Sequence, residues 1–408
     1  MSDAAPAFDI APPEESFGTR IWENLKGGNL GSLPVVFALS IIVILFSFWA
    51  PNFFTASNFN NVVVQMAGVT MLAYGVVFVL LLGEIDLSIA YLSGFTGVIC
   101  AELQAPGSGH LLPGILPIVV ALAMATAIGA FQGSFVAIIG VPAFVVTLAG
   151  LLAWQGAIQV TLGANGPINI QNRWVNYLAN YPLPKAWSWG IAIGLSVVYL
   201  AAFLWGVANQ RRHGVAMRQP WLLASRAALV PVIALIVVFI ANRDPYRHGL
   251  PLAGVEMAIF LIGWTFVAKR TVFGRHVYAV GGNAEAARRA GISVARIRIM
   301  VFAISGLMAG VGGIVLAANL NSVAPDQGGG TLLLDAISAA VIGGTSLFGG
   351  RGEVRSALLG AAVIATIENG LDIKGYQPGV IYIVTGCILL FAVTLDTIAR
   401  RRQAKTGR

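Results

Sequence analysis

Charged residues are scarce in this chain of 408 residues: Asp, Glu, Lys and Arg make up 10% of it, whereas soluble globular proteins carry about 25%. A soluble fold of this size could not cover its surface with so few charges. The shortage excludes a soluble enzyme and a disordered regulator. Because apolar residues supply 57% of the chain and the mean hydropathy is +0.81, we expect most of the outer surface to face a lipid bilayer.

Residues for metal, redox and phosphate chemistry are also few. Cys100 and Cys387 lie far apart in apolar runs, so we expect neither a disulfide framework nor a metal cluster. The four histidines have no carboxylate or cysteine at ligand spacing. The absence of a Gly-Lys dipeptide excludes a Walker A phosphate loop, so this chain is not expected to hydrolyse ATP. GGTSLFGG (343–350) is not a nucleophile elbow, because Phe348 replaces its second glycine.

Long apolar runs are what the sequence has instead. A helix needs about 20 apolar residues to cross about 30 Å of hydrocarbon, and twelve runs reach or approach that length. They are 33–50, 62–82, 88–104, 113–140, 142–162, 187–208, 222–241, 251–269, 297–318, 332–348, 354–371 and 379–398. The runs 88–104, 332–348 and 354–371 are short or broken by glycine, which is typical of half-helices or re-entrant segments.

These runs predict an all-α, polytopic membrane protein with about 10–12 transmembrane helices. The membrane domain covers 33–398, between an N-terminal tail (1–32) and a basic C-terminal tail (399–408). If both termini lie in the cytoplasm, most of the 25 Lys and Arg residues fall on the cytoplasmic side, as the positive-inside rule requires. Since these cations lie at helix ends and form no soluble basic domain, we expect no nucleic-acid binding.

Acidic residues inside a membrane domain are costly, which makes them candidates for function. Glu84 and Asp86 lie in GEIDLS (83–88), where a glycine and Ser88 indicate that one helix stops and another begins. Two interpretations stay open. Asp86 or Ser88 caps the next helix, or the broken helix offers polar groups to a hydroxyl-rich cargo or forms part of a gate. The candidate pathway or gate residues are Gln65, Glu84, Asp86, Ser88, Gln155 and Gln159.

The longest predicted cytoplasmic loop, 271–293, contains a complete short-helix signature. Its cap, acidic first turn, basic last turn and left-handed terminator are Asn283, Glu285, Arg288 with Arg289, and Gly291. The predicted helix, 284–290, would be about 10 Å long. A helix this short is not stable alone in water, so it must dock on something. Spacing alone leaves open whether that is a protein or the lipid headgroups.

Four blocks of this sequence resemble, in the same order, the membrane permeases of bacterial sugar ABC importers of the ribose/xylose class. The blocks are GEIDLS (83–88), 129–156, 271–292 and 334–350, and the resemblance covers about residues 50–400. It implies a type II ABC importer-like permease in the bacterial inner membrane, assembled as a homodimer. Its implied partners are a cytoplasmic ATPase subunit, which uses the ATP, and a periplasmic sugar-binding protein. No cofactor is implied for this chain.

The resemblance also places the contact with the ATPase in the 271–293 loop. The residues that match the family's coupling segment are Gly281, Gly282, Asn283, Glu285, Ala286, Ala287, Arg288, Gly291 and Ile292. In that family the motion of this segment is driven by the ATPase. The resemblance therefore favours docking on a protein over docking on the lipid headgroups.

Two features are similar to the D-xylose branch of that family, which implies a pentose cargo. They are Glu84 before IDLS and an extra segment, 209–250, that resembles a two-helix insertion. The stretches IAYLSG (89–94) and GGRGEV (349–354) depart from the family pattern, the second by carrying Arg351 and Glu353.

Three alternatives remain at this stage. An ion-coupled secondary transporter would need a mid-membrane carboxylate, and uptake would not depend on an ATPase. A membrane enzyme for lipid or polyprenyl substrates would need paired acids or a metal cluster. The third is an ABC permease for another cargo, such as ribose, branched-chain amino acids or an autoinducer.

Overall fold

The computed structural model describes residues 33–106, 109, 111–163, 166–213 and 220–405. The predicted N-terminal tail and the last three residues lie outside these ranges. Within them the chain is mostly helical, which confirms the predicted all-α class. The short strands β1 (Ile168–Asn169) and β2 (Ser322–Val323) pair in antiparallel fashion.

The helices follow the twelve predicted apolar runs closely. In chain order they are α1 (Leu33–Trp49), α2 (Ala56–Leu81), α3 (Ile89–Glu102), α4 (Leu116–Ser134, continued by a π-helical turn Phe135–Ile139), α5 (Ala143–Leu162), α6 (Arg173–Asn180), α7 (Lys185–Arg212), α8 (Pro220–Ala241), α9 (Leu252–Arg270), α10 (Val272–Gly282), α11 (Ala284–Arg289), α12 (Val294–Leu320), α13 (Leu332–Ile342), α14 (Val354–Ile373) and α15 (Pro378–Lys405). Among the described residues, eight helices are long and apolar enough to cross a membrane: α2, α4, α5, α7, α8, α9, α12 and α14. Shorter apolar helices or helix segments occupy the other four predicted runs.

Two of the three runs expected to be short or broken are short helices. α3 has 14 residues and α13 has 11. The expectation was wrong for 354–371, because α14 is a continuous helix of 20 residues. Its Gly360 does not break the helix. A Cβ at this position would collide with the carbonyl oxygen of Ala339, so the glycine lets α14 approach α13 closely.

The core forms around α2 and α12. In an apolar stretch of 18 residues in each of these two helices, 89% of the residues of α2 and 67% of those of α12 are buried. α12 packs against α2, α3 and α4. At the crossing of α4 and α12, Cβ atoms at Gly129 and Gly306 would collide with the carbonyl oxygens of Phe302 and Ala125. The helices can therefore approach to backbone contact only because both positions are glycine.

α7 and α8 pack against each other at the edge of this core. In an apolar stretch of 18 residues in each helix, only 11% of the residues of α7 and 12% of those of α8 are buried. Large apolar side chains such as Val198, Trp205 and Ile233 are exposed there, as expected of helices that face lipid. The segment 209–250 comprises the end of α7, the whole of α8 and the loop that follows.

Candidate functional site

The helical conformation is interrupted between α2 and α3, where the sequence predicts that one helix stops and another begins; we call this segment the helix break. α2 ends at Leu81 and α3 begins at Ile89. Gly83 has a φ of +76°, a left-handed conformation that favours glycine. The residues between Gly83 and Ser88 are not helical, so their polar groups need partners from other parts of the chain.

Asp86 is the centre of a buried polar cluster. Its Oδ1 accepts hydrogen bonds from the backbone N–H of Ser88 (3.0 Å) and from the Ser88 hydroxyl (2.7 Å), and its Oδ2 accepts one from the Ser305 hydroxyl (2.7 Å). The Ser88 hydroxyl also lies 3.2 Å from Oε1 of Gln132. All four residues are buried. Asp86 therefore ties Ser88, the N-cap residue of α3, to Ser305 on α12. The Ser88 side chain makes no capping hydrogen bond to α3 and acts as a hydrogen-bond donor.

Glu84 forms a second contact between the break and α12. Its Oε1 lies 2.7 Å from Nε of Arg298, in the second turn of α12. The Glu84 side chain is 10% exposed and that of Arg298 is 32% exposed. Because most of this ion pair is shielded from water, burying the Glu84 carboxylate without a partner would cost free energy. The Arg298 guanidinium supplies the opposite charge that reduces this cost.

Gln132, Ser305 and Arg298 belong to this site but were not predicted from the sequence. In the sequence Arg298 is one of many cations at the predicted cytoplasmic helix ends, and Gln132 and Ser305 lie inside apolar runs. A polar residue isolated in an apolar run is the signal that could have identified Gln132 and Ser305.

The other three candidate pathway residues lie apart from this cluster. Gln65 is 16 residues before the end of α2, about 24 Å along the helix axis, and its Oε1 accepts a hydrogen bond from Asn369 (3.1 Å). On α5, Gly150 lies against Gln132, and Gln155 and Gln159 follow it by about 8 and 13 Å along the axis. The structure therefore brings together Glu84, Asp86 and Ser88 but not the three glutamines.

Residues 271–293 contain two consecutive short helices, α10 and α11, joined at Asn283. We call this pair the coupling hairpin. α11 matches the predicted short helix to within one residue, and Oδ1 of Asn283 accepts a hydrogen bond from the N–H of Ala286 (2.9 Å), as predicted. Gly291 adopts the predicted left-handed conformation (φ +86°). Treating the rest of the segment as a loop was wrong, because α10 precedes α11. The Thr271 side chain caps α10 by accepting from the N–H of Gly274.

One face of α11 is buried and the other is open. Ala287 is 5% exposed and packs into the core, whereas Glu285, Ala286, Arg288 and Arg289 are exposed. Glu285 forms ion pairs with Arg288 (3.0 Å) and Arg289 (3.2 Å) along the helix. This short helix is thus anchored to the core through Ala287 and presents a small, charged surface on its opposite side.

The loop 343–353 lies against the coupling hairpin. The Tyr278 hydroxyl, on α10, donates a hydrogen bond to the carbonyl oxygen of Gly352 (2.7 Å). Glu353 pairs with Lys269 at the end of α9 (2.6 Å) and with Arg355. Burial alone would raise the pKa of Glu353, but hydrogen bonds from Lys269 and Arg355 lower it below its usual value. Glu353, which departs from the family pattern, therefore joins α9 to α14.

The family described as "Branched-chain amino acid transport system / permease component" matches residues 58–393. The chain belongs to this permease family. It is 38% identical over 387 residues to the xylose transport system permease protein of Escherichia coli K12, covering 93% of this chain and 95% of the relative. The corresponding protein of Haemophilus influenzae is 34% identical, with 93% and 99% covered. The ribose import permease protein of Escherichia coli K12 is 31% identical, with 88% and 91% covered. No solved structure matches the chain.

The permease is therefore a polytopic transport subunit of an ABC transporter in the inner membrane, and not an enzyme. The resemblance drawn from the four sequence blocks is confirmed. Membership of this family decides against the ion-coupled transporter and the lipid-modifying enzyme. It also implies an ATPase and a substrate-binding protein as partners of the permease.

In the permease, the helix break, the coupling hairpin and the loop 343–353 are neighbours. Within the described ranges, no group of three or more His, Cys, Asp or Glu residues is arranged to hold a metal ion. The chemistry that the site offers is hydrogen bonding together with ion pairs between chain segments, such as those of Glu84 with Arg298 and of Glu353 with Lys269. Such a site can hold two helices in a defined relation and release them, which is the requirement for a gate.

Proposed function

We propose that this permease imports a pentose, D-xylose in the first place, as the membrane subunit of an ABC importer. It works as a homodimer with both termini in the cytoplasm. A cytoplasmic ATPase uses the ATP, and a sugar-binding protein delivers the cargo from outside. This chain itself binds no cofactor.

The proposed orientation rests on the distribution of cations. Arg288, Arg289 and Lys269 belong to or adjoin the coupling hairpin, and Arg211 and Arg212 end α7. Under the positive-inside rule these residues belong on the cytoplasmic side. The orientation puts the coupling hairpin and the helix break on the side from which an ATPase would act.

We place the ATPase contact on the coupling hairpin, and the observation that supports the function best is the form of α11. A helix of six residues has little stability of its own. α11 is nevertheless capped at Asn283, anchored at Ala287 and exposed along Glu285, Ala286, Arg288 and Arg289. A short helix that is held from one side suits a contact that must transmit force.

We place the cytoplasmic gate at Glu84, Asp86 and Ser88. Their partners lie on α12 and α4, so opening requires these helices to separate or rotate. Gln65, Gln155 and Gln159 lie further along α2 and α5. We propose that these three contact the sugar nearer the outer face, where amide groups can pair with hydroxyls.

The pentose assignment comes from the relatives. The xylose permeases are 38% and 34% identical to this chain and the ribose permease 31%, over similar coverage. Ribose is the second candidate cargo, supported by the 31% identity over 88% of the chain.

The test is uptake of labelled D-xylose into proteoliposomes that contain the permease, with the sugar-binding protein outside and the ATPase and ATP inside. Uptake that needs all components supports the proposal. Uptake without the ATPase would contradict it. Labelled D-ribose is assayed in parallel with a ribose-binding protein, and preferential ribose uptake would overturn the cargo assignment alone.

A further inference from the structure

Three segments of the chain, one of them the coupling hairpin, contact one another through backbone atoms. The N–H of Gly350 donates a hydrogen bond to the carbonyl oxygen of Leu81 (2.9 Å), the last residue of α2. Gly281, near the end of α10, lies against the same carbonyl, and a Cβ there would collide with it. The end of α2, the coupling hairpin and the loop 343–353 are thus in direct backbone contact.

Gly349 closes this contact from the other side. It has a φ of +84°, and a Cβ there would lie 2.8 Å from the carbonyl oxygen of Gly281 and 2.9 Å from the backbone nitrogen of Gly83. We call this group the glycine clamp: Gly83, Gly281, Gly349 and Gly350 with the carbonyl of Leu81. Gly83 also lies in the helix break, two residues after the end of α2.

We infer that the glycine clamp is what passes a displacement of the coupling hairpin to the helix break, and that Gly281 is its positioning residue. The physical reason is the kind of contact. Two side chains in contact can change rotamer and absorb a shift, whereas packed backbones have no such freedom and transmit it. The inference rests on the proposed function, because it supposes that an ATPase moves the hairpin.

The chain offers a closely matched pair of substitutions. Gly281→Ala adds a methyl group that forces the hairpin away from Leu81. Gly282→Ala adds the same methyl group one residue later, where a Cβ would meet nothing within 4 Å. Both residues lie in the coupling hairpin, so any effect of a methyl group on ATPase docking is measured by Gly282→Ala.

The experiment uses the complete importer in proteoliposomes. Three quantities are measured for each variant: association of the ATPase with the permease, ATP hydrolysed, and xylose taken up per ATP. We expect uptake per ATP for Gly281→Ala to be about tenfold below that for Gly282→Ala, with equal ATPase association, in line with the usual size of coupling effects. A loss of folded protein would lower uptake and hydrolysis together and leave their ratio unchanged.

Equal ratios for the two variants would overturn the inference. If Gly281→Ala does not fold, Tyr278→Phe decides. It removes only the hydroxyl that ties α10 to the carbonyl of Gly352 beside the clamp. We expect a fall in uptake per ATP of about threefold, and an unchanged ratio would then overturn the inference. If the unmodified permease does not associate with the ATPase, the proposed function fails instead.

Discussion

The ion pair between Glu84 and Arg298 should contribute measurably to stability, and its removal is the most direct test of how the break is held. Glu84→Gln keeps the shape of the side chain and removes its charge. Arg298 is then left largely shielded from water without a counter-charge. We expect the free energy of unfolding to fall and uptake to fall with it.

The size of the effect follows from the geometry. Two unit charges about 4 Å apart attract by about 4 kcal/mol at the effective dielectric constant of a protein near its surface. Arg298 is 32% exposed and Glu84 10%, so solvent screening and the cost of desolvating both groups reduce this figure. We expect a coupling energy of about 2 kcal/mol.

The assay is a double-mutant cycle on unfolding by SDS in mixed micelles, with the unmodified protein, Glu84→Gln, Arg298→Gln and the double variant. The exposed pair of Glu285 and Arg288 on α11 is the matched control, and its coupling energy should be about 0.5 kcal/mol or less. If the coupling energy for Glu84 and Arg298 is no larger than that of the control pair, the pair does not hold the break and the reasoning is refuted.

Three further outcomes are expected. Asn283→Ala removes the cap of α11, which costs about 1 kcal/mol, so ATPase affinity measured by titration should fall about fivefold, while Asn283→Ser retains it. Gly129→Ala should lower the unfolding free energy by more than about 2 kcal/mol, whereas Gly156→Ala, with open space around its Cβ, should leave it nearly unchanged; similar losses would contradict the packing argument. The pKa of Glu353 in the folded protein is lowered, so its ionised carboxylate stabilises the fold at pH values above the ordinary pKa of Glu, about 4.3. This stabilisation is lost as the pH falls through the lowered pKa. Glu353→Gln should therefore lower stability near pH 7 by less than about 1 kcal/mol, and the difference should vanish on acidification; a difference that persists in acid would exclude the ion pairs as its cause.

The sequence predicted the helices well because the bilayer imposes a length and a hydrophobicity that can be read directly. All twelve apolar runs coincide with helices or helix segments. The short helix α11 was predicted to within one residue because its cap, charged turns and terminating glycine are local signals. α14 was not predicted as a continuous helix. A glycine in an apolar run is equally consistent with an interruption of the helix and with a position where two helices pack closely.

The candidate site was predicted only in part, because its partners are distant in sequence. Glu84 and Asp86 stand out locally as acids in an apolar setting. Nothing local indicates that Ser305 lies 2.7 Å from Asp86, or that Gly281 touches the end of α2. α10 was missed for a related reason: its stability comes from packing on neighbouring segments, and its three glycines are typical of a loop.

The two anchors on α12 impose a strict condition on its helical phase. Arg298 and Ser305 are seven residues apart, which is nearly two full turns, or about 10 Å of rise, so both project in one direction and meet the break together. Inserting one residue at the start of α12 would turn both by about 100° away from their partners. The number of residues before and between Arg298 and Ser305 is therefore less free to change than the identity of the other residues of α12. A natural relative with an insertion or deletion there would need a compensating change near residue 84.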